Sequence, residues 1–252
     1  MDVAELPADV AALCEELNTG LQRSLNDAPT SLYLYGALAF PRPKDWAVDV
    51  DFHALLSRPI TDDERDAVRA LHRRLADASA LGKELDGYYI LMVDAARREP
   101  PVSQASIFPS TPGSVLAEVT DDAWALHRAH VLAGRFVLLH GEDPRGVLLP
   151  PTWEELDHAL HGEMAYIDSH PEHPAYGILN ACRILYSFRC RDVVISKHAA
   201  ADWGMSELPH QWRQPIAAAV RIYSMTASAG DVELVRERRG AFVAYVKDEL
   251  RP

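Results

Sequence analysis

The chain has 252 residues, of which 48% are hydrophobic and 25% are charged, a composition typical of a globular protein rather than a disordered one. Its formal net charge of -12 disfavours the broad basic surface that binds a nucleic-acid backbone. No apolar run reaches the roughly 18 residues of a membrane span, and the acidic start MDVAELPADV lacks the features of a signal peptide. We therefore expect a cytoplasmic protein that binds neither nucleic acid nor membrane. We also expect a monomer.

The N-terminal part of the chain predicts a small mixed α/β domain. Apolar residues at helical spacing alternate along the chain with strand-like runs such as SLYLYGAL and DGYYILMVD. In chain order the predicted elements are a helix over 3–25, a strand ending at Gly36, a strand carrying Asp49 and Asp51, a helix capped by Thr61, a strand from about Tyr88 and a helix over 120–134. Residues 99–114, rich in Pro and Ser, predict an irregular connection that could face a substrate.

The C-terminal part predicts helices almost throughout. Pro and Gly cluster in HGEDPRGVLLPPT, where Thr152 can cap a new helix, so we place a domain boundary between residues 1–150 and 151–252. The predicted helices cover residues 152–168, 174–189, 197–204, 210–228 and 229–249. The predicted fold class is α+β, with a mixed-sheet α/β domain followed by an all-helical bundle domain.

Two carboxylates lie close together in the second predicted strand. Side chains two residues apart on a strand share a face, so Asp49, Asp51 and His53 would point one way and Val50 and Phe52 the other. A pair of carboxylates is a set of ligands that Mg²⁺ accepts, usually together with substrate phosphates. This pattern predicts a strand with one face in a core and one face carrying ligands; the alternative is a solvated acidic face.

The surroundings of the acidic pair fit nucleotidyl transfer, which needs a bound metal, a phosphate cradle and a proton acceptor. Gly36 precedes the pair by one loop and would let backbone N–H groups approach phosphate oxygens. Asp86, at the head of the third strand, could take the proton of an acceptor hydroxyl. Glu84 and Asp94 are alternative bases, and alternation along one strand does not separate them from Asp86.

Two segments of the chain resemble the streptomycin/spectinomycin (aminoglycoside) adenylyltransferases of the DNA-polymerase-β-like nucleotidyltransferase superfamily. The N-terminal segment LYGALAFPRPKDWAVDVDF is similar to the family's Leu-Tyr-Gly-Ser motif followed by an Asp-x-Asp strand. The helical segments NACRILYSFRCRDVVISKHAAADWGMSELP and AFVAYVKDEL resemble the C-terminal domain of that family. The resemblance implies a nucleotidyltransferase-type first domain and a helical second domain that binds substrate and nucleotide.

The resemblance also implies roles for individual residues. Asp49 and Asp51 match the metal ligands, Asp86 matches the catalytic carboxylate, and Gly36 and Ala37 match the phosphate-binding turn. The positions that contact the nucleotide from the helical domain are Arg183, Lys197 and Tyr223. We therefore expect ATP as co-substrate, two Mg²⁺ ions, and a small cationic acceptor that carries a hydroxyl.

Three departures from the family pattern bear on function. Ala37 stands where the family has Ser. The loop from Ala37 to Asp49 is one residue longer than in the family pattern and carries Arg42 and Lys44, which could compensate for the missing hydroxyl. His173 stands where an acid of the drug site is expected, with Asp168 and Glu172 as nearby acids that could bind an amine. Alternative functions are therefore the same transfer to another small antibiotic or metabolite, or a nucleotide-binding sensor with little transfer activity.

Overall fold

The computed structural model describes residues 5–26, 29–41, 49–104, 116–120 and 123–251. Arg42 and Lys44, and most of the connection at 99–114, lie outside the described residues. The chain divides into two compact units, and their boundary in the sequence lies between Pro151 and Thr152.

The first unit is built on a six-stranded sheet with the order β5-β4-β3-β2-β1-β6. Its strands are β1 (Pro29–Leu34), β2 (Val50–Leu56), β3 (Leu85–Leu91), β4 (Pro101–Gln104), β5 (Ala117–Thr120) and β6 (Val137–Gly141). The pair β2 and β3 is parallel, and the other neighbouring pairs are antiparallel. The mixed sheet confirms the predicted fold class.

Three of these strands differ from the sequence prediction. The irregular connection predicted over 99–114 is wrong for its first part, because Pro101–Gln104 pairs with both β3 and β5. The strand β5 begins immediately after that region, and β6 occupies the apolar stretch RFVLLHG. Each of the three has only four or five residues, too few for the alternation of polar and apolar residues to identify a strand.

Helices cover both faces of the sheet in this unit. They are α1 (Ala8–Ser24), α2 (Asp62–Ala78), the single turn α3 (Ala80–Lys83) and α4 (Trp124–Leu132). Leu34 and Phe52 point towards one face, where they share a core with the apolar side of α1 and α2. Tyr33 and Leu55 point to the other face and form a second core with Trp124 of α4. Successive strand residues thus contribute alternately to two cores.

The predicted start of α2 is confirmed in detail. The Thr61 hydroxyl accepts from the Glu64 backbone N–H, and the Glu64 carboxylate accepts in return from the Thr61 N–H, the arrangement of a capping box. Arg58 also donates to Glu64, with Nη2 at 2.7 Å from Oε1. Together these hydrogen bonds hold the chain between β2 and α2.

The second unit is helical. It contains α5 (Trp153–Ser169), α6 (Pro174–Cys190), α7 (Lys197–Glu207), α8 (Arg213–Tyr223) and α9 (Ala229–Glu249). Thr152 caps α5 as predicted. The single helix predicted over 210–228 is instead a 3-10 turn at His210–Trp212 followed by α8, which ends at Tyr223. Helix α6 contributes the most buried residues and packs against α5, α7, α8 and α9.

Within the part of the chain that the structure describes, no helix is long and apolar enough to cross a membrane.

Candidate active site

Gly36 lies at the turn after β1, in contact with the carboxylate of Asp51. Its φ of +64° lies in the left-handed region that side chains disfavour. A Cβ added to Gly36 would lie 2.0 Å from Asp51 Oδ2, and the preceding Tyr35 N–H donates to the Asp51 carbonyl at 3.0 Å. The turn is therefore fitted to Asp51 both by its backbone conformation and by its lack of a side chain.

Asp51 and Asp86 are direct partners in the register of the parallel strands β2 and β3. Neighbouring strands lie roughly 4.8 Å apart, and residues in register point to the same face. Both side chains are partly buried, where the repulsion between two carboxylates is stronger than in water. A bound divalent cation would relieve that repulsion.

Asp49 directly precedes β2 and does not lie within the strand as predicted, and the Asp49 side chain is exposed. Among the described residues, no group of three or more His, Cys, Asp or Glu side chains is arranged to hold a metal ion. Mg²⁺ is usually bound by one or two carboxylates that act together with substrate phosphates and water. The carboxylate oxygens of Asp49 and Asp51 fit that ion as a partial ligand set that a nucleotide would complete.

The alternative bases Glu84 and Asp94 occupy different positions from Asp86. Asp94 lies in the turn beyond the far end of β3, is 5% exposed, and pairs with Arg97 at 2.9 Å. Glu84 follows α3; its carbonyl accepts from the Val50 N–H at 3.1 Å, while its side chain is exposed. Of the three acids, Asp86 is the one in register with Asp51.

The prediction that one face of β2 carries ligands along its length is wrong at His53. The side chain is fully buried and stacks on Tyr35, with ring centroids 3.9 Å apart and planes 13° apart. Tyr88 stacks on it at 5.8 Å, and Trp124 of α4 contacts it edge-on at 5.1 Å. Burial, and next the nearby His127, hold the pKa of His53 well below its usual value. The face open to ligands is thus limited to the end with Asp51.

In the second unit, the structure brings two of the predicted nucleotide contacts together. Lys197 is the first residue of α7, and its Nζ lies 5.2 Å from the ring centroid of Tyr223, the last residue of α8. Arg183 lies on α6, where its Nη1 donates to Oδ1 of the buried Asn180 at 3.0 Å. Within the described residues Arg183 makes no salt bridge, and its side-chain partner is the neutral amide of Asn180.

Tyr176 belongs to the same group and was not predicted from the sequence. Lys197 Nζ lies 4.9 Å from its ring centroid, and its hydroxyl donates to Glu163 Oε2 at 3.4 Å. Burial, and next the Glu163 carboxylate, raise the pKa of Tyr176 above its usual value, so the phenol stays protonated. Its spacing of seven residues from Arg183, which puts both on one face of a helix, is the signal that could have identified it.

The acids proposed to bind an amine of the acceptor already have partners in this unit. Asp168 pairs with Lys247 of α9. Glu172 Oε1 lies 3.8 Å from Nε2 of His173, the residue that precedes α6. Recognition of a cationic acceptor by Asp168 or Glu172 would therefore compete with these contacts.

Comparison with known proteins gives a family for the second unit and a fold for the chain. Residues 152–249 match the family model "Aminoglycoside adenylyltransferase, C-terminal domain". The fold is similar to a crystal structure of the spectinomycin adenyltransferase AAD(9) from Enterococcus faecialis with ATP and spectinomycin. That match has a TM-score of 0.76 and 18% identity, and it covers 94% of this chain and 98% of the other. A search of curated proteins found no match.

Proposed function

We propose that this chain, whose residues 152–249 match the family model of the aminoglycoside adenylyltransferase C-terminal domain, transfers AMP from ATP to a hydroxyl of an aminoglycoside or aminocyclitol. The reaction forms a bond between the acceptor oxygen and the α-phosphorus of ATP, and pyrophosphate leaves. Adenylylation would inactivate the acceptor as an antibiotic. The structure of similar fold is described with ATP and spectinomycin, which supports both as first compounds to test.

The observation that carries this proposal is the register of Asp51 with Asp86 beside Gly36. In the proposed reaction, Asp86 accepts the proton of the attacking hydroxyl as a general base. Asp49 and Asp51 hold Mg²⁺, with two ions proposed in all. When bound, the metal neutralises charge on the phosphate oxygens and on the carboxylates.

Gly36 and Ala37 would contribute backbone N–H groups to phosphate oxygens. These residues begin a 3-10 turn, Gly36–Ala39, and the first N–H groups of a helical turn have no partner within the turn itself. Ala37 lacks the hydroxyl that the family's Ser would add. The proposal therefore assigns phosphate binding at this turn to the backbone alone.

Arg183, Lys197 and Tyr223 are proposed to bind the nucleotide. A guanidinium can donate two parallel hydrogen bonds to phosphate, and an ammonium acts as a compact point charge. Tyr176 links them, because it contacts Lys197 and lies within electrostatic range of Arg183 and Tyr223. Two cationic side chains near the same tyrosine favour a polyanion such as a triphosphate.

The test is pyrophosphate release by the purified chain with ATP and Mg²⁺. The acceptor panel contains spectinomycin, streptomycin, lincosamides and nucleoside antibiotics. Asp51→Asn is the inactive variant, and Asp77→Asn is the matched control, because Asp77 is an exposed aspartate of α2. We expect release that depends on one acceptor, is lost in Asp51→Asn and is kept in Asp77→Asn.

Two other results would contradict the proposal. Full turnover by Asp51→Asn would remove Asp51 from the reaction. ATP binding in Mg²⁺ without release for any acceptor would favour the nucleotide-binding sensor.

A further inference from the structure

The ammonium group of Lys197 lies over two tyrosine rings. Its Nζ is 4.9 Å from the ring centroid of Tyr176 and 5.2 Å from that of Tyr223. Both distances are within the roughly 6 Å at which an aromatic face attracts a cation. The three residues come from α6, α7 and α8, so packing of the helices creates the arrangement and no local sequence motif does.

The position of Lys197 means that these rings can stabilise its positive charge. Lys197 is the first residue of α7, after the N-cap Ser196, and the N-terminus of a helix carries partial positive charge that disfavours a cation. Arg183 adds a second positive group near Tyr176. The two electron-rich ring faces offset this repulsion and keep the ammonium in place before an anion arrives.

Tyr176 is itself fixed on two sides. Its hydroxyl donates to Glu163 of α5 at 3.4 Å, and its ring packs edge-on against Tyr166, with centroids 5.9 Å apart. These contacts hold the ring face towards Lys197 without involving the hydroxyl in that contact. The ring and the hydroxyl can therefore be tested separately.

We propose that Tyr176 is a positioning residue: its ring face orients the Lys197 ammonium towards the phosphates of the bound nucleotide. This inference rests on the proposed function, because it takes Lys197 as a nucleotide contact. It adds a residue of α6 that does not touch the nucleotide in this account. The aromatic ring carries the effect, and its packing against Tyr166 holds the ring in place even without the hydroxyl.

The test is a double-mutant cycle on the full chain, with the dissociation constant of ATP in Mg²⁺ measured by calorimetry. Tyr176→Leu removes the ring, and Tyr176→Phe keeps it. We expect Tyr176→Leu to weaken ATP binding by about threefold to tenfold, the range of one cation–π contact, and Tyr176→Phe to stay close to wild type. In a Lys197→Met background, Tyr176→Leu should have no further effect.

Three outcomes of the cycle would overturn the proposal. Equal ATP binding by wild type and Tyr176→Leu would overturn the role of Tyr176 and leave the proposed function intact. An equal loss with and without Lys197 would assign Tyr176 a general structural role. A wild-type chain that does not bind ATP would overturn the proposed function and this use of Lys197 together.

A measurement without nucleotide covers the case in which Tyr176→Leu fails to fold. In a ¹H–¹³C correlation spectrum of the wild-type chain, the Hε signal of Lys197 is assigned by its absence from the spectrum of Lys197→Met. It should lie upfield of the Hε signals of the other lysines because of ring currents. An Hε signal at the ordinary lysine position would overturn the proposal.

Discussion

Replacing Gly36 with Ala distinguishes the contribution of the turn after β1 to stability from its contribution to the transfer rate. Gly36 has a φ of +64°, and an added Cβ would lie 2.0 Å from Asp51 Oδ2. Ordinary van der Waals contact begins near 3.4 Å, so the carboxylate oxygen would have to move by about 1.4 Å. The closest atom is the end of a side chain, which can rotate away. The Asp51 Cγ and Cβ, at 3.0 and 3.3 Å from the added Cβ, need to move by only a few tenths of an ångström.

The expected magnitudes follow from these two effects. A residue other than Gly in the left-handed region costs roughly 1–2 kcal/mol, so the free energy of unfolding should fall by about that amount. Displacing a reacting or ligating group by about 1 Å costs on the order of 100-fold in rate. Gly36→Ala should therefore be mildly destabilised and lose about 100-fold or more in transfer rate.

Gly134→Ala is the matched control. Gly134, which follows α4, also has a positive φ of +78°, but an added Cβ would meet no atom within 4 Å. Urea unfolding should give a similar loss of stability for both variants, whereas pyrophosphate release should fall only in Gly36→Ala. A Gly36→Ala variant with wild-type turnover would refute the reasoning, as would a loss of stability far larger than that of Gly134→Ala.

Three further predictions concern buried groups and the metal. His53→Leu should raise the free energy of unfolding by about 1 kcal/mol, because both ring nitrogens of the buried His53 lack a hydrogen-bond partner among the described residues; a loss of stability in urea would contradict this. Arg58, and next the Thr61 N–H, lower the pKa of Glu64 from 4.5 to about 2, so the stabilising charge of Glu64 is present above pH 4.5 and is lost as the pH falls towards 2. Glu64→Gln should therefore cost about 1–2 kcal/mol at neutral pH, with a deficit that shrinks below pH 4.5, and a deficit independent of pH would be evidence against the ion pair. Removal of Mg²⁺ with EDTA should abolish pyrophosphate release, and readdition of Mg²⁺ should restore it. Release that continues in EDTA would exclude a metal held by Asp51.

The parts of the fold that the sequence predicts well are those determined by local signals. The helices of the second unit follow from apolar spacing and from caps such as Thr152, which depend on neighbouring residues. The strands β4, β5 and β6 have only four or five residues and are identified by their pairing with strands distant in sequence. No pattern within such short segments specifies those partners.

The residues of the candidate site also fall into two groups, those identified from local sequence patterns and those brought together by packing. The Asp51 and Gly36 motif is local and follows from spacing, although the contact between the two residues depends on the pairing of β1 with β2. The burial of His53 depends on α4, which follows it by about 70 residues. Tyr176 acquires its contact with Lys197 only when α6 packs against α7. Sequence patterns give the residue types at the site, and helix and strand packing decides which of them meet.

The most direct test of the central claim is the mass of the acceptor after incubation with the chain, ATP and Mg²⁺. The account predicts a product heavier than the acceptor by one AMP group, formed by wild type and Asp77→Asn and absent with Asp86→Asn. An acceptor panel left unmodified by the wild-type chain, or a product formed equally well by Asp86→Asn, would contradict it.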